Sequence, residues 1–200
     1  MTAVRLANAE ILLHSPCRPS PGLVEEIGRI GQVTQVVAPN WFHDLYLAEY
    51  RALYPTSTFW APRFLQRHQK SIVDDVLDGA NRPPWFSELP YISVPGLLTF
   101  DECVFFQNRT RTLIVADLLM NASVSPDAPR VTRLGYRLLG LEGRLKVFPV
   151  LRWFRIANQG SLRRAKRQIF EWNPERLIVG HGTAIEERVG EQLRDSFEWV

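Results

Sequence analysis

The chain has 200 residues, 46% of them apolar and 11% aromatic, including six Trp and eleven Phe; such a composition fills a core and excludes an intrinsically disordered chain. Its net charge of +3 is too small to mark a polyanion-binding protein by itself, and its two cysteines, Cys17 and Cys103, supply neither a disulfide framework nor a metal-ligand spacing. No basic segment followed by an apolar run opens the sequence, and no apolar run nears the roughly 20 residues of a membrane span, so the expectation is one cytoplasmic domain over residues 1–200 with both thiols free.

In chain order, the opening MTAVRLANAEILLHSP reads as two short strands joined at Ala7-Asn8-Ala9. Ser20 is placed to cap a helix beginning near Pro21, with Leu23, Val24, Ile27 and Ile30 on its apolar face. Val33–Ala38 is a buried-strand candidate stopped by Pro39-Asn40. The period predicts a helix over 45–54, a short strand at Thr58–Trp60 and a helix over 62–69. Residues 70–90, with Pro83-Pro84, read as an irregular connection. Ile92–Val94, Cys103–Gln107 and Thr112–Ala116 follow as strands, the last two joined by a turn at Asn108–Arg111. Helices are predicted over 131–141, 146–157 and 160–172, then a strand at Arg176–Val179 and a closing helix over 184–199. This order of strands, αβ alternation, meander and helices predicts an α/β (α+β) fold with sheets covered by helices.

Apolar runs repeatedly end in polar, coordinating residues. ILLHSP delivers His14, VVAPNWFHD delivers Asn40, His43 and Asp44, TLIVADLL delivers Asp117, and RLIVGHG delivers His181. Three of the four histidines stand at such positions. In αβ-alternating sheets, ligands collect beyond the carboxyl ends of strands, where the rigid backbone stops and short loops expose side chains. Asp117 follows an apolar run and needs a partner if buried. The glycines around His181 permit tight turns and close approach of a ligand. Three of these residues also have a structural explanation: loop hydrogen bonding for His14, an exposed helix-start position for His43, and capping or charging the helix N-terminus for Asp44. His68, in the polar stretch RFLQRHQK, reads as a surface residue.

At the segments LLHSP, VVAPNWFHDLYL, VPGLLTFDECVFF, TLIVADLLMN and RLIVGHG, the chain resembles the metallo-β-lactamase superfamily and, within it, the family known as domain of unknown function 4336. The resemblance implies a reduced αββα sandwich with metal bound at one edge of the two sheets. The superfamily's His-x-His-x-Asp-His motif falls on Pro39–Asp44, where the two leading histidines are missing and the last two positions read His-Asp. A further superfamily ligand falls on Leu97, which cannot coordinate. By that analogy one of two metal positions is lost, and the other keeps His43, Asp44, Asp117 and His181 as ligands. Two imidazoles with carboxylates suit a single zinc, iron or manganese ion. Asp117 would be a ligand or general base, and His14 would orient a ligand or move protons. A His–Asp cluster without metal satisfies the same groups.

Between Arg130 and Arg167 stand eleven Lys or Arg and one acid, Glu142. This stretch reads as amphipathic helices with snorkelling basic side chains, as a site for an anionic partner such as nucleic acid, or as a contact for a membrane surface or another protein. The first recognisable strand lies close to the start, so the expectation is either a short version of the fold or a missing edge strand, whose exposed neighbour would favour pairing in a homo-oligomer. Three functions follow: a mononuclear metal-dependent hydrolase-like protein acting on a small molecule, an inactive scaffold of the same fold binding a partner or small ligand, and a nucleic-acid binder through residues 130–167.

Overall fold

The computed structural model describes residues 1–95, 101–121, 128–138, 143–147 and 159–199. One sheet has five strands in the order β1 (Thr2–Arg5), β2 (Glu10–His14), β3 (Gln32–Val37), β4 (Thr58–Ala61) and β5 (Asp75–Val76), antiparallel at the β1–β2 hairpin and parallel thereafter. A second sheet runs β11 (Arg176–Ile178), β8 (Thr112–Ile114), β7 (Glu102–Gln107), β6 (Tyr91–Val94), with β11 parallel to β8 and the other pairs antiparallel. β9 (Leu119–Met120) pairs separately with β10 (Lys146–Val147).

Alternation along each strand sorts side chains into layers. In β2, Ile11 and Leu13 face helices α1 (Pro21–Ile30), α2 (Leu47–Leu53) and α3 (Arg63–His68), packing with Ile27, Leu47, Tyr50 and Leu65. Leu12 points the other way and joins Val37 and Trp60 against Tyr91, Cys103, Phe105 and Ile114 of the second sheet. Val104, Leu113 and Leu177 face outward onto α5 (Gln159–Trp172) and α6 (Val189–Ser196), through Leu162, Ala165, Ile169, Leu193 and Phe197. The result is the αββα layering that the resemblance implies.

The Ser20 cap holds, its hydroxyl accepting the Leu23 N–H at 3.3 Å. Ala9 supplies the left-handed residue (φ 64°) that closes the first hairpin. Three expectations need correction. The 70–90 connection contains β5, which extends the parallel sheet. The helix expected from 146 begins instead as strand β10, because Lys146 and Val147 pair with Met120 and Leu119; residues 148–157 lie outside the described residues, as do Leu97 and positions 139–141 of the helix expected over 131–141, of which Arg130–Leu138 is described as α4. The closing helix starts only at Val189, since Ile185 forms an antiparallel bridge with Leu177 and Arg188 turns the chain at φ 51°. On α5, Arg163, Arg164 and Arg167 are exposed while Leu162, Ala165 and Ile169 are buried, the amphipathic arrangement in which basic residues solvate the outer face. Cys17 is exposed, Cys103 is buried, and both are free. Among the described residues no helix is long and apolar enough to cross a membrane.

Candidate metal centre

Strands β8 and β11 run parallel in the register Leu113↔Leu177 and Ile114↔Ile178, so their carboxyl ends emerge side by side. Beyond the strands the pairing continues, with the Gly180 N–H donating to the Ala116 carbonyl. This brings Asp117 and His181 to one edge of the sandwich. Gly182 stands at φ 121°, a conformation that glycine adopts without steric cost, and bridges in parallel to Asn121.

The third element comes from the other sheet. The Cys103 N–H of β7 donates to the Pro39 carbonyl at 2.9 Å, tying the end of β3 across the sandwich. Asn40 then caps a 3₁₀ turn, Trp41–His43, its Oδ1 accepting the Phe42 N–H at 2.9 Å. This turn carries His43 over Asp117.

Asp117 is the hub. Its Oδ1 lies 3.0 Å from His181 Nε2 and its Oδ2 lies 3.2 Å from His43 Nε2. Asn40 Nδ2 donates to the same Oδ2 at 2.7 Å. One ligand atom from each of His43, Asp117 and His181 lies within 4.8 Å of the others. The Nδ1 of His43 hydrogen-bonds the Ser15 hydroxyl, which fixes the ring and leaves Nε2 facing the site. Such a partner on the far nitrogen selects the tautomer of a ligating histidine. Asp117 is 5% exposed, whereas the His181 side chain is 54% exposed and forms the open side.

The electrostatics follow from burial and pairing. Desolvation pushes the Asp117 carboxyl up, but hydrogen bonds from His181, His43 and Asn40 and the charge of His43 outweigh it, holding the group well below the usual carboxylate range. The Asp117 carboxylate in turn raises His181. Behind Asp117, Glu102 is 0% exposed. Burial and the neighbouring Asp117 charge push it up to about 8, against the backbone N–H groups it accepts. His14 is 2% exposed, with its ring edge-on to Phe105 and its Nε2 without a hydrogen-bond partner among the described residues; burial and then His43 lower it to about 3.

The sequence-predicted residues His43, Asp117 and His181 therefore meet, although they are far apart in the chain. Asp44 does not join them: its Oδ2 accepts from Gln69 Nε2 at 3.3 Å. His14 is not among the three: its neighbour Ser15, rather than His14 itself, hydrogen-bonds His43. His68 is exposed, with Nδ1 on the Phe64 carbonyl at 2.8 Å. Glu102 escaped sequence reasoning; its signal was an acid placed directly against the apolar run Cys103–Phe106, next to Asp101. Two imidazole nitrogens and a carboxylate are a donor set that fits a divalent ion such as zinc, iron or manganese.

The model of the family Domain of unknown function (DUF4336) matches residues 1–139. No curated protein matches the sequence. Among solved structures, the apo state of the chemotaxis sensor ODP from T. denticola is similar at TM-score 0.62 and 16% identity, covering 96% of this chain and 80% of that one. The DIM-1 metallo-β-lactamase is similar at TM-score 0.61 and 13% identity over 98% of this chain and 85% of that one. The Flv1 flavodiiron core from Synechocystis sp. PCC6803 reaches TM-score 0.64 at 13% identity, covering 98% of this chain and 51% of that one. At these identities the likeness shows the fold, which is metallo-β-lactamase-like.

Proposed function

The chain belongs to the Domain of unknown function (DUF4336) family, and from that premise we propose that it is a mononuclear, metal-dependent hydrolase-like protein acting on a small molecule. The observation that carries this reading is the convergence of His43, Asp117 and His181, with their ligand atoms within 4.8 Å of one another. These three residues would hold one divalent ion, leaving a position open. Bound there, such an ion supplies Lewis acidity toward a carbonyl or phosphoryl oxygen and lowers the pKa of water.

The residues of the chain do the rest. Ser15 orients His43 through Nδ1. Asn40 holds one oxygen of Asp117 and thereby fixes the carboxylate. His181, half-exposed and raised by Asp117, faces the side from which a substrate arrives. Phe42 and Leu45, which flank His43–Asp44 in sequence, are exposed at 63% and 72% and would supply apolar contact to that substrate. His14, buried and neutral, supports the cluster from behind.

Protein purified without an affinity tag and analysed for metal tests the reading. About one divalent ion per chain is expected, absent from an Asp117→Ala/His181→Ala variant; equal and negligible metal in both removes it. A second reading is favoured by one observation: both oxygens of Asp117 already have hydrogen-bond partners in the protein. In that reading the cluster is a metal-free polar network in an inactive scaffold that binds a partner or small ligand. Metal-dependent hydrolysis of an ester or phosphodiester panel, lost in folded His181→Ala, excludes it.

A further inference from the structure

Glu102 is the most deeply buried acid near the centre, in a strand whose six residues are all buried. Its carboxylate collects three successive backbone N–H groups. Oε1 accepts from Ala116 at 2.9 Å, and Oε2 accepts from Asp117 at 3.0 Å and from Leu118 at 2.8 Å. Successive backbone N–H groups pointing to one spot form an anion-binding concavity, filled here by a side chain of the same protein. Three bonds to consecutive residues fix the backbone dihedrals on both sides of Asp117, and hence the direction in which its side chain leaves the chain. Asn40, 0% exposed, completes the arrangement: its Nδ2 donates to Asp117 Oδ2 at 2.7 Å and reaches Glu102 Oε2 at 3.4 Å. The amide cannot turn over without cost, because Oδ1 is held by the Phe42 N–H. One N–H₂ group thus stands between two buried carboxylates that would otherwise repel.

We propose that Glu102 and Asn40 form a brace that sets the Asp117 carboxylate in its ligating position, Glu102 acting as a positioning residue that does not itself touch the ion. The part of this inference that concerns metal affinity rests on the metal reading above; the part that concerns the Asp117 segment does not. A carboxylate needed only to satisfy the core would have no particular bearing on the ligand. A brace couples the order of Ala116–Leu118 to affinity at a site assembled from both sheets.

The test is Glu102→Gln, which keeps the shape and removes one acceptor oxygen. Two readouts are taken on full-length protein: amide hydrogen exchange, and affinity for zinc by competition with a chromogenic chelator. The expected result is exchange at Ala116–Leu118 faster by tenfold or more, unchanged exchange at Val104–Phe106, and zinc affinity lower by about ten- to a hundredfold, the range seen when groups supporting a ligand are removed. Unchanged exchange and affinity overturn the brace, as does exchange that rises equally in β7 and in the Asp117 segment. If Glu102→Gln fails to fold, Asn40→Ser decides: serine still caps the 3₁₀ turn, but the bridge to Asp117 is gone. A tenfold or greater loss of zinc affinity supports the brace, and wild-type affinity overturns it. Should the wild-type protein bind no zinc, the metal reading fails, and the exchange measurement alone decides the role of Glu102.

Discussion

The N–H of Gly180 donates to the carbonyl oxygen of Ala116 over 3.1 Å, and a Cβ on residue 180 would stand only 2.7 Å from that oxygen. The segments that follow β8 and β11 are therefore closed to a separation that glycine alone permits, and the residues next in sequence are Asp117 and His181.

Gly180→Ala is expected to force these strand ends apart. The neighbour in its way is backbone, which yields less readily than a side-chain tip. A loss of about 1–3 kcal/mol is expected, as for other overpacking substitutions, with the midpoint of thermal unfolding falling about 2–4 °C per kcal/mol. Calorimetry checks it; an unchanged midpoint would show that the contact relaxes freely.

Binding of a divalent ion to the folded state alone raises stability by mass action. At a free zinc concentration one hundred times the Kd, the gain is about 2.7 kcal/mol. Thermal unfolding with zinc, and again after chelation, should show the shift and its reversal in wild type, and no shift in Asp117→Ala.

Ser15→Ala removes the hydrogen-bond partner of His43 Nδ1. The imidazole is then free to choose its tautomer and rotate, so zinc affinity should fall about ten- to a hundredfold while the fold persists. Titration against a chelator measures the change, and circular dichroism confirms the fold.

The pH dependence of the metal-free protein carries a sign that can be worked out. His14 is lowered from 6.5 to about 3, so its contribution is complete above 6.5 and is lost as pH falls toward 3. Glu102 is raised from 4.5 to about 8, so it favours the fold at low pH and that contribution is lost as pH rises from 4.5 to 8. His181, raised by Asp117, acts in the same direction as Glu102 above 6.5. Stability should rise up to about 4.5, stay level to 6.5 where His14 and Glu102 oppose, and decline toward 8. The two buried groups, His14 and Glu102, each contribute a limiting slope of about 1.4 kcal/mol per pH unit. In His14→Gln the level region should become a decline, measured by urea unfolding at several pH values.

Much of the architecture was legible because alternation and punctuation act locally. Ser20-Pro21 started a helix, Pro39-Asn40 stopped a strand, and Asn108–Arg111 made a turn. The strand-end logic also found His43, Asp117 and His181, since each follows an apolar run that the fold buries. Glu102 and the hydroxyl of Ser15 were not legible as parts of the site. Their roles come from non-local pairings, β7 against the Ala116–Leu118 segment and Ser15 against the 3₁₀ turn, which no local period encodes. Asp44 misled for the opposite reason: adjacency in sequence to His43 does not give the same direction, and its side chain turns to Gln69. The two-residue strands β5 and β10 are too short to announce themselves, and pairing with β4 and β9 decides them.

The tie from the Cys103 amide to the Pro39 carbonyl joins β7 to the end of β3. His43 hangs from one of the two sheets, and Asp117 and His181 from the other. A partly assembled chain, with either half formed alone, presents at most two of the three donors. If the centre holds an ion, the full set of three donors exists only once the halves have docked, so tight uptake would report completed tertiary assembly and the bound ion would work as a latch against their separation.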